Sequence, residues 1–254
     1  MRGLIAIVVA LAALLALPAG AGAITNGVPD GAGHPEVGAL LAPTAYADGT
    51  WATCSGTLIS PTVFLTAAHC DQGLQRVAVT FAATYVAGKS KVYWGTWHAD
   101  PAYNQSQSDP QDMAVVVFDK PVRGIAPARL PTAGSLDALA LGAPITAVGY
   151  GAQAVSIDQG PVFQYADVRY VATGTVTAVN PSWLRSSMNP ALGNGGTCYG
   201  DSGGPNFLGA GASETNILAA TTITGDSMCR ATNVDYRLDT PSARAFLGQF
   251  VSLP

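Results

Sequence analysis

One serine stands inside a glycine run and directly after an aspartate, in Gly200-Asp201-Ser202-Gly203-Gly204-Pro205. Glycine lets a backbone turn sharply and bring N–H groups close to a reacting carbonyl. Leu65-Thr66-Ala67-Ala68-His69-Cys70 supplies a histidine beside a cysteine, and Asp112-Met113-Ala114-Val115-Val116-Val117-Phe118 opens an apolar run with an aspartate. A hydroxyl nucleophile, an imidazole base and an orienting carboxylate are therefore all present, the set from which a serine hydrolase is built. Each residue also has a plainer reading. Ser202 alone could be a turn serine, His69 a buried structural histidine, and Asp112 a loop residue capping the next strand, with Asp109 and Asp119 as nearby alternatives. The apolar run that begins immediately after Asp112 favours that residue. His34 and His98 are read as structural.

The elements that must position these groups are short. Candidate strands are Val37–Leu41, Cys54–Ile59, Val63–Thr66, Arg76–Phe81, Met113–Phe118, Ile145–Tyr150, Phe163–Val179, Ile217–Ile223 and Val234–Leu238, separated by Gly, Pro, Asp and Asn. Short strands with frequent turn signals and no alternating helices predict an antiparallel β-barrel or sandwich. The Pro-, Gly- and Ala-rich stretch from Arg129 to Pro144 is the best candidate for a connection between two halves. One helix is signalled at the end: Thr240 caps it, Pro241 fits its first turn, and Ala243, Phe246, Leu247 and Phe250 share an apolar face.

Of 254 residues, 48% are hydrophobic and only 11% charged, with a formal net charge of −4. That composition allows a substantial core in one large domain or two small ones, and with no basic run nucleic acid is excluded as a partner. Arg2, the apolar run Leu4 to Leu17 and the small residues Ala19 to Ala23 form a secretory signal peptide over residues 1–23. The apolar run is shorter than the ~20 residues of a spanning helix, so no stable membrane anchor is expected. Export to an oxidising compartment favours disulfides for the four cysteines. Three pairings are formally possible. Cys54–Cys70, which would clamp the segment before His69, and Cys198–Cys229, which would clamp the loop before Ser202, are the pairs expected. Neither has the spacing of a zinc site.

Chain order sorts the hydrolases. Gly200-Asp201-Ser202-Gly203-Gly204 also fits the loose Gly-x-Ser-x-Gly pattern of α/β-hydrolases, but those place the histidine after the serine, and none follows Ser202 here. The subtilisin order needs an aspartate before His69; Asp30 or Asp48 could serve, yet the helix-poor pattern disfavours an alternating α/β fold. The order His, Asp, Ser remains. In that order, Thr66-Ala67-Ala68-His69-Cys70, Asp112-Met113-Ala114 and Gly200-Asp201-Ser202-Gly203-Gly204-Pro205 resemble the signatures of the trypsin/chymotrypsin-like serine endopeptidases, in a secreted, bacterial-type form. The resemblance covers the chain from Ile24 to the terminal helix.

That resemblance implies an all-β fold of two antiparallel six-stranded barrels, about 24–130 and about 131–240, with the active site in the cleft between them and a helix at about 241–251. It implies Ser202 as nucleophile, His69 as general base and acid, and Asp112 as the group that fixes the imidazole. The N–H groups of Gly200 and Ser202 would form an oxyanion hole, each donor typically worth ~3 kcal/mol. It also implies an ion pair between a newly cut amine at Ile24 and Asp201; Ile24-Thr25-Asn26-Gly27 matches the family's start at Ile24 and Gly27 and departs at Thr25 and Asn26. A signal-peptidase cut after Ala23 would expose Ile24 directly, so that export and activation become one event, whereas a cut after Ala21 would require a second trim.

The family's primary pocket is floored six positions before the nucleophile, here by the uncharged Gly196, with walls from Thr197, Thr222-Ile223-Thr224 and Asn233. This predicts little preference for Arg or Lys. Thr224 in place of the family's glycine could narrow the entrance, and Asp226 is read as a solvated loop carboxylate. No acidic residue lies between Asp71 and Asp100, so the calcium loop of many relatives is not expected, nor is any metal or cofactor. Expected partners are protein or peptide substrates, with proteinaceous inhibitors a further class, for a monomer. The competing readings are a catalytically silent binding module on the same fold and an esterase using the same triad.

Overall fold

The computed structural model describes residues 24–152 and 163–254; the signal peptide expected at 1–23 lies outside them. In chain order the strands are β1 (Val28–Pro29), β2 (Val37–Leu41), β3 (Ala52–Ser60), β4 (Val63–Thr66), β5 (Arg76–Thr80), β6 (Tyr93–Ala99), β7 (Ala114–Phe118), β8 (Pro144–Gly149), β9 (Tyr170–Val179), β10 (Trp183–Ser187), β11 (Pro205–Leu208), β12 (Leu218–Gly225) and β13 (Thr232–Arg237), followed by helix α1 (Pro241–Leu247).

Two closed antiparallel barrels of six strands result. The first runs β2-β3-β4-β7-β6-β5 and closes by pairing β5 with β2. The second runs β9-β10-β13-β12-β11-β8 and closes by pairing β8 with β9. β1, first in the chain, adds to the outside of β9 through Val28↔Val171 and Pro29↔Tyr170, so the N-terminal segment lies on the second barrel.

Strand alternation explains why β7 is apolar on both faces. Val116 and Phe118 point into the first barrel with Leu40, Leu58, Phe64 and Val79. Val115 faces the other way, into a core shared between the barrels that includes Leu65, Val148, Phe207, Tyr236 and the helix residues Phe246 and Leu247. The helix docks as its sequence pattern predicts, with Thr240 Oγ1 accepting from the Ala243 N–H at 3.2 Å.

Four strands escaped the sequence reading, the first of them the two-residue β1. β6 is half exposed and carries a central glycine, β10 places Arg185 outward, and β11 starts at a proline with a buried Asn206 at its second position. The expected strand Phe163–Val179 begins only at Tyr170. Asp167 interrupts it: the residue has φ 50°, and its carboxylate accepts the N–H groups of Trp51 and Ala52.

A charged clasp holds the segment after β1. His34 lies between two carboxylates, Nδ1 at 2.5 Å from Asp30 Oδ1 and Nε2 at 2.6 Å from Glu214 Oε1. Asp30 also accepts from Arg169 Nε at 2.6 Å, and the buried guanidinium donates to the carbonyls of Gly31, Val37 and Phe81. Burial opposes a charged imidazole, but the two carboxylates outweigh it and lift the His34 pKa from 6.5 to about 9. A folded pKa above the unfolded one contributes stability that is complete below the unfolded value and lost as pH rises through the folded value. His34→Gln should therefore lower the melting temperature near pH 6, with the gap from wild type closing as pH rises through about 9. Thermal melts across that range check it, and a pH-independent gap would contradict the clasp.

Candidate active site

Each candidate group is set by its own local geometry. His69 sits in the single 3₁₀ turn Ala68–Cys70 that follows β4. A disulfide from Cys70 to Cys54 fastens this turn to β3. Asp112 lies two residues before β7, after Gln111 in a left-handed conformation (φ 49°). The carboxylate meets His69 twice: Oδ1 accepts the backbone N–H at 3.0 Å, and Oδ2 lies 2.7 Å from Nδ1. Asp112 is 2% exposed. A proton on Nδ1 donated to this buried carboxylate leaves the Nε2 lone pair free to accept. The neighbouring aspartates are engaged elsewhere, Asp109 with the Tyr236 hydroxyl at 2.6 Å and Asp119 with Arg76 at the surface.

Ser202 lies in the loop between β10 and β11, and its position is fixed from the first barrel. The Ser55 N–H donates to the Ser202 carbonyl at 2.9 Å, and Ser55 Oγ donates to the Gly200 carbonyl at 3.0 Å. The Gly203 N–H donates to Thr222 O at 2.7 Å, and the Gly204 N–H to Asp201 O at 2.8 Å. Gly200 and Gly203 have φ of 94° and 78°, where side chains are disfavoured. A Cβ on Gly203 would come within 2.1 Å of Thr66 Oγ1 and 2.6 Å of the Ala67 nitrogen. Glycine thus lets the serine loop lie directly on the chain leading to His69. A second disulfide, Cys198–Cys229, ties this loop to the β12–β13 connection. The N–H groups of Gly200 and Ser202 have no acceptor among the described residues.

His69 and Ser202 line one cavity of about 280 Å³. No hydrogen bond joins Ser202 Oγ to Nε2 among the described residues; such contacts are often long before a substrate closes them. Thr197, Thr222, Ile223 and Thr224 line the same cavity. Gly196 and Asn233 lie behind it. The side chain of Met188 covers Gly196, whose Cβ would approach Met188 Cγ to 2.4 Å, and Asn233 is buried and accepts from Thr197 Oγ1 at 2.5 Å. Asp226 does line the cavity. Burial raises its pKa, but N–H groups of Thr232, Ala231, Arg230 and Met228 prevail and hold it below the ordinary value, so it is a loop-caged carboxylate.

Asp201 is fully buried behind the serine. Among the described residues its oxygens accept only the N–H groups of Gly151 and Cys198, both at 2.8 Å. Burial pushes its pKa up to about 7, against the pull of those two donors. A Cβ on Gly149 or Gly151 would strike this carboxylate at 2.1 or 2.5 Å, which explains both glycines. Ile24 is buried against Ala147 and Ala172, and Thr25 exchanges backbone bonds with Gly196 at 2.7 and 3.0 Å. The cluster Cys54, His69 and Cys70 has a metal-like spacing, but its two sulfurs are bonded to each other and offer no thiolate.

Sequence reasoning missed Ser55, Met188 and Asn206. Nothing in a strand's sequence marks a serine whose backbone reaches across to another barrel.

Residues 41–245 match the family model described as Trypsin. The chain belongs to the trypsin family. Among curated members it is 29% identical over 197 residues to a chymotrypsin of Phaedon cochleariae, covering 71% of this chain and 66% of that protein. It is 30% identical over 169 residues to snake venom serine protease BITS01A of Bothrops insularis, covering 60% and 62%. It is 29% identical over 195 residues to a brachyurin of Leptuca pugilator, covering 73% and 84%. The matched stretch thus spans about two thirds of the first two relatives. The trypsin-family match contains the residues that form this cleft.

Gly203→Ala combines a left-handed φ with a backbone clash, and should cost about 3 kcal/mol or more. Denaturant unfolding measures this; a loss below about 0.5 kcal/mol would mean that the loop does not need the close contact with Ala67.

Proposed function

We propose that this chain is a secreted serine endopeptidase that hydrolyses peptide bonds through an acyl-enzyme on Ser202. The observation that carries the reading is the buried Asp112 bonded to His69 Nδ1, with His69 and Ser202 on one cavity wall. Ser202 Oγ attacks the scissile carbonyl carbon while His69 Nε2 takes its proton. The oxyanion forms beside the Gly200 and Ser202 N–H groups, which have no acceptor among the described residues. His69 returns the proton to the leaving amine as the C–N bond breaks. Water then attacks the ester by the same route and frees Ser202. Asp112, bonded to Nδ1, orients and stabilises the imidazolium in both halves.

Removal of residues 1–23 supplies the remaining charge. Asp201, buried with two neutral donors, is the acceptor that suits an ammonium at Ile24. Gly196 brings no charge behind the pocket, and Thr197, Thr222, Ile223 and Thr224 bring neutral side chains to its wall, which supports a preference for neutral side chains before the cleaved bond. Substrates are proteins or peptides.

A fluorophosphonate probe should label Ser202, and Ser202→Ala should abolish labelling and reduce kcat by roughly 10⁶-fold. Asp112→Asn should lower kcat by roughly 10⁴-fold with the fold intact. Labelling without peptide hydrolysis would point to ester chemistry, and no labelling of correctly folded protein would leave a binding module. N-terminal sequencing of the active secreted form should read Ile-Thr-Asn-Gly. A fully active form starting at Gly22 would remove the Ile24–Asp201 pair from the mechanism. On a peptide panel varied only before the cleaved bond, neutral side chains should be preferred near pH 7, and strong cleavage after Arg would overturn the neutral pocket.

A further inference from the structure

Behind the cavity wall lies a carboxyl group that the catalytic reading does not use. Asp235 on β13 is 0% exposed. Its Oδ1 accepts three hydrogen bonds, from Asn233 Nδ2 at 2.6 Å, Asn206 Nδ2 at 2.7 Å and Thr222 Oγ1 at 3.1 Å. Its Oδ2 is buried without a partner among the described residues. Two of these connections reach the cavity. Thr222 lines it directly, and Asn233 accepts from Thr197, on the wall just before the serine loop. Asp235 is thus bonded directly to Thr222 and reaches Thr197 through one side chain, Asn233.

We propose that Asp235 is a specificity-determining residue of the primary pocket: protonated, it leaves the pocket to neutral side chains, and ionised, it lets the pocket accept the cations of arginine and lysine. The proposal rests on reading this cavity as the primary pocket of a peptidase.

The geometry favours two protonation states over one. Three neutral donors converge on Oδ1, so the proton belongs on Oδ2, the atom without a partner. Among the described residues no ion pair fixes the charge. β11 and β12 carry no ionisable side chain. Arg185 on β10 faces solvent, Arg237 on β13 is committed to Asp137 and Asp239, and Tyr170 on β9 packs against Ile24, Ala147 and Ala172. On the adjoining loops, Asp201 is bonded to Gly151 and Cys198, Asp226 is caged by its own loop, and Tyr199 and Arg230 are exposed. Burial therefore dominates, and it pushes Asp235 up to about 8 against the pull of Thr222, Asn206 and Asn233. The charge appears as pH rises through that value. A charge behind a dry wall acts at low effective dielectric on a cation in the pocket.

Two peptides that differ only in Arg or Leu before the cleaved bond test this. Their kcat/KM ratio cancels any pH dependence that the two peptides share, and the Arg side chain of the substrate stays charged throughout. Between pH 6 and pH 9.5 the Arg/Leu ratio of the mature wild-type enzyme should rise roughly tenfold, with its midpoint near 8. Asp235→Asn keeps the shape and the Oδ1 acceptor but cannot ionise, and should hold the low-pH ratio throughout. A flat wild-type ratio, or the same rise in Asp235→Asn, overturns the proposal. Should the variant not fold, the carboxylic-acid C=O infrared band of the wild type replaces it: loss of a band with the same midpoint supports the assignment, and a rising ratio without that loss overturns it. Dominant cleavage after Arg already at pH 6 counts against the neutral pocket itself, while the slope with pH still decides the role of Asp235.

Discussion

The backbone hydrogen bond from Ser55 to the Ser202 carbonyl, 2.9 Å long, joins the two barrels at the point where the cleft must be accurate. β3 belongs to the first barrel and the serine loop to the second. The same strand carries Cys54, which holds the His69 turn, and the Ser55 carbonyl accepts from Thr66 Oγ1 at 2.8 Å. One short stretch of β3 therefore fixes both the histidine turn and the serine loop. The close contact at Gly203 completes the joint, since any side chain there would hold the two apart. Rigid strands with short loops suit chemistry that a displacement of 1 Å can slow about a hundredfold.

A second constraint runs beneath the cleft. Asp201 and Asp235 are buried in the second barrel and, among the described residues, have only neutral donors. Buried acids without cations are costly, and their placement behind the serine and behind the pocket wall connects that cost to the site. The stabilising ion pairs lie elsewhere. Arg169 and His34 gather Asp30 and Glu214 at the seam between the N-terminal segment and the second barrel, and Arg237 gathers Asp239 and Asp137 near the helix.

Much of this was legible in the residues, for a physical reason. A nucleophile needs local backbone geometry, so its glycines sit beside it in sequence, and the apolar run after Asp112 announces the buried strand that follows it. The helix was equally plain, because its cap and its apolar face are local. What could not be read depends on distant partners. β11 looks like a turn because it opens with proline, and Asn206 reads as an outward polar residue until four strands curl around it. Gly196 reads as a pocket floor until the Met188 side chain is seen covering it. Asp235 and Asn233 alternate with apolar neighbours as any half-exposed strand would, yet both point into the closed barrel.

The first strand sits on the last barrel. Because β1 and Asp30 precede everything in the first barrel yet bind β9 and Arg169, neither half is complete by itself. A gene divided within residues 129–144 would yield one fragment bearing an unpaired edge strand and another bearing a buried, bare guanidinium. Two such fragments would have reason to reassociate, which makes that connection a natural place to build a split reporter.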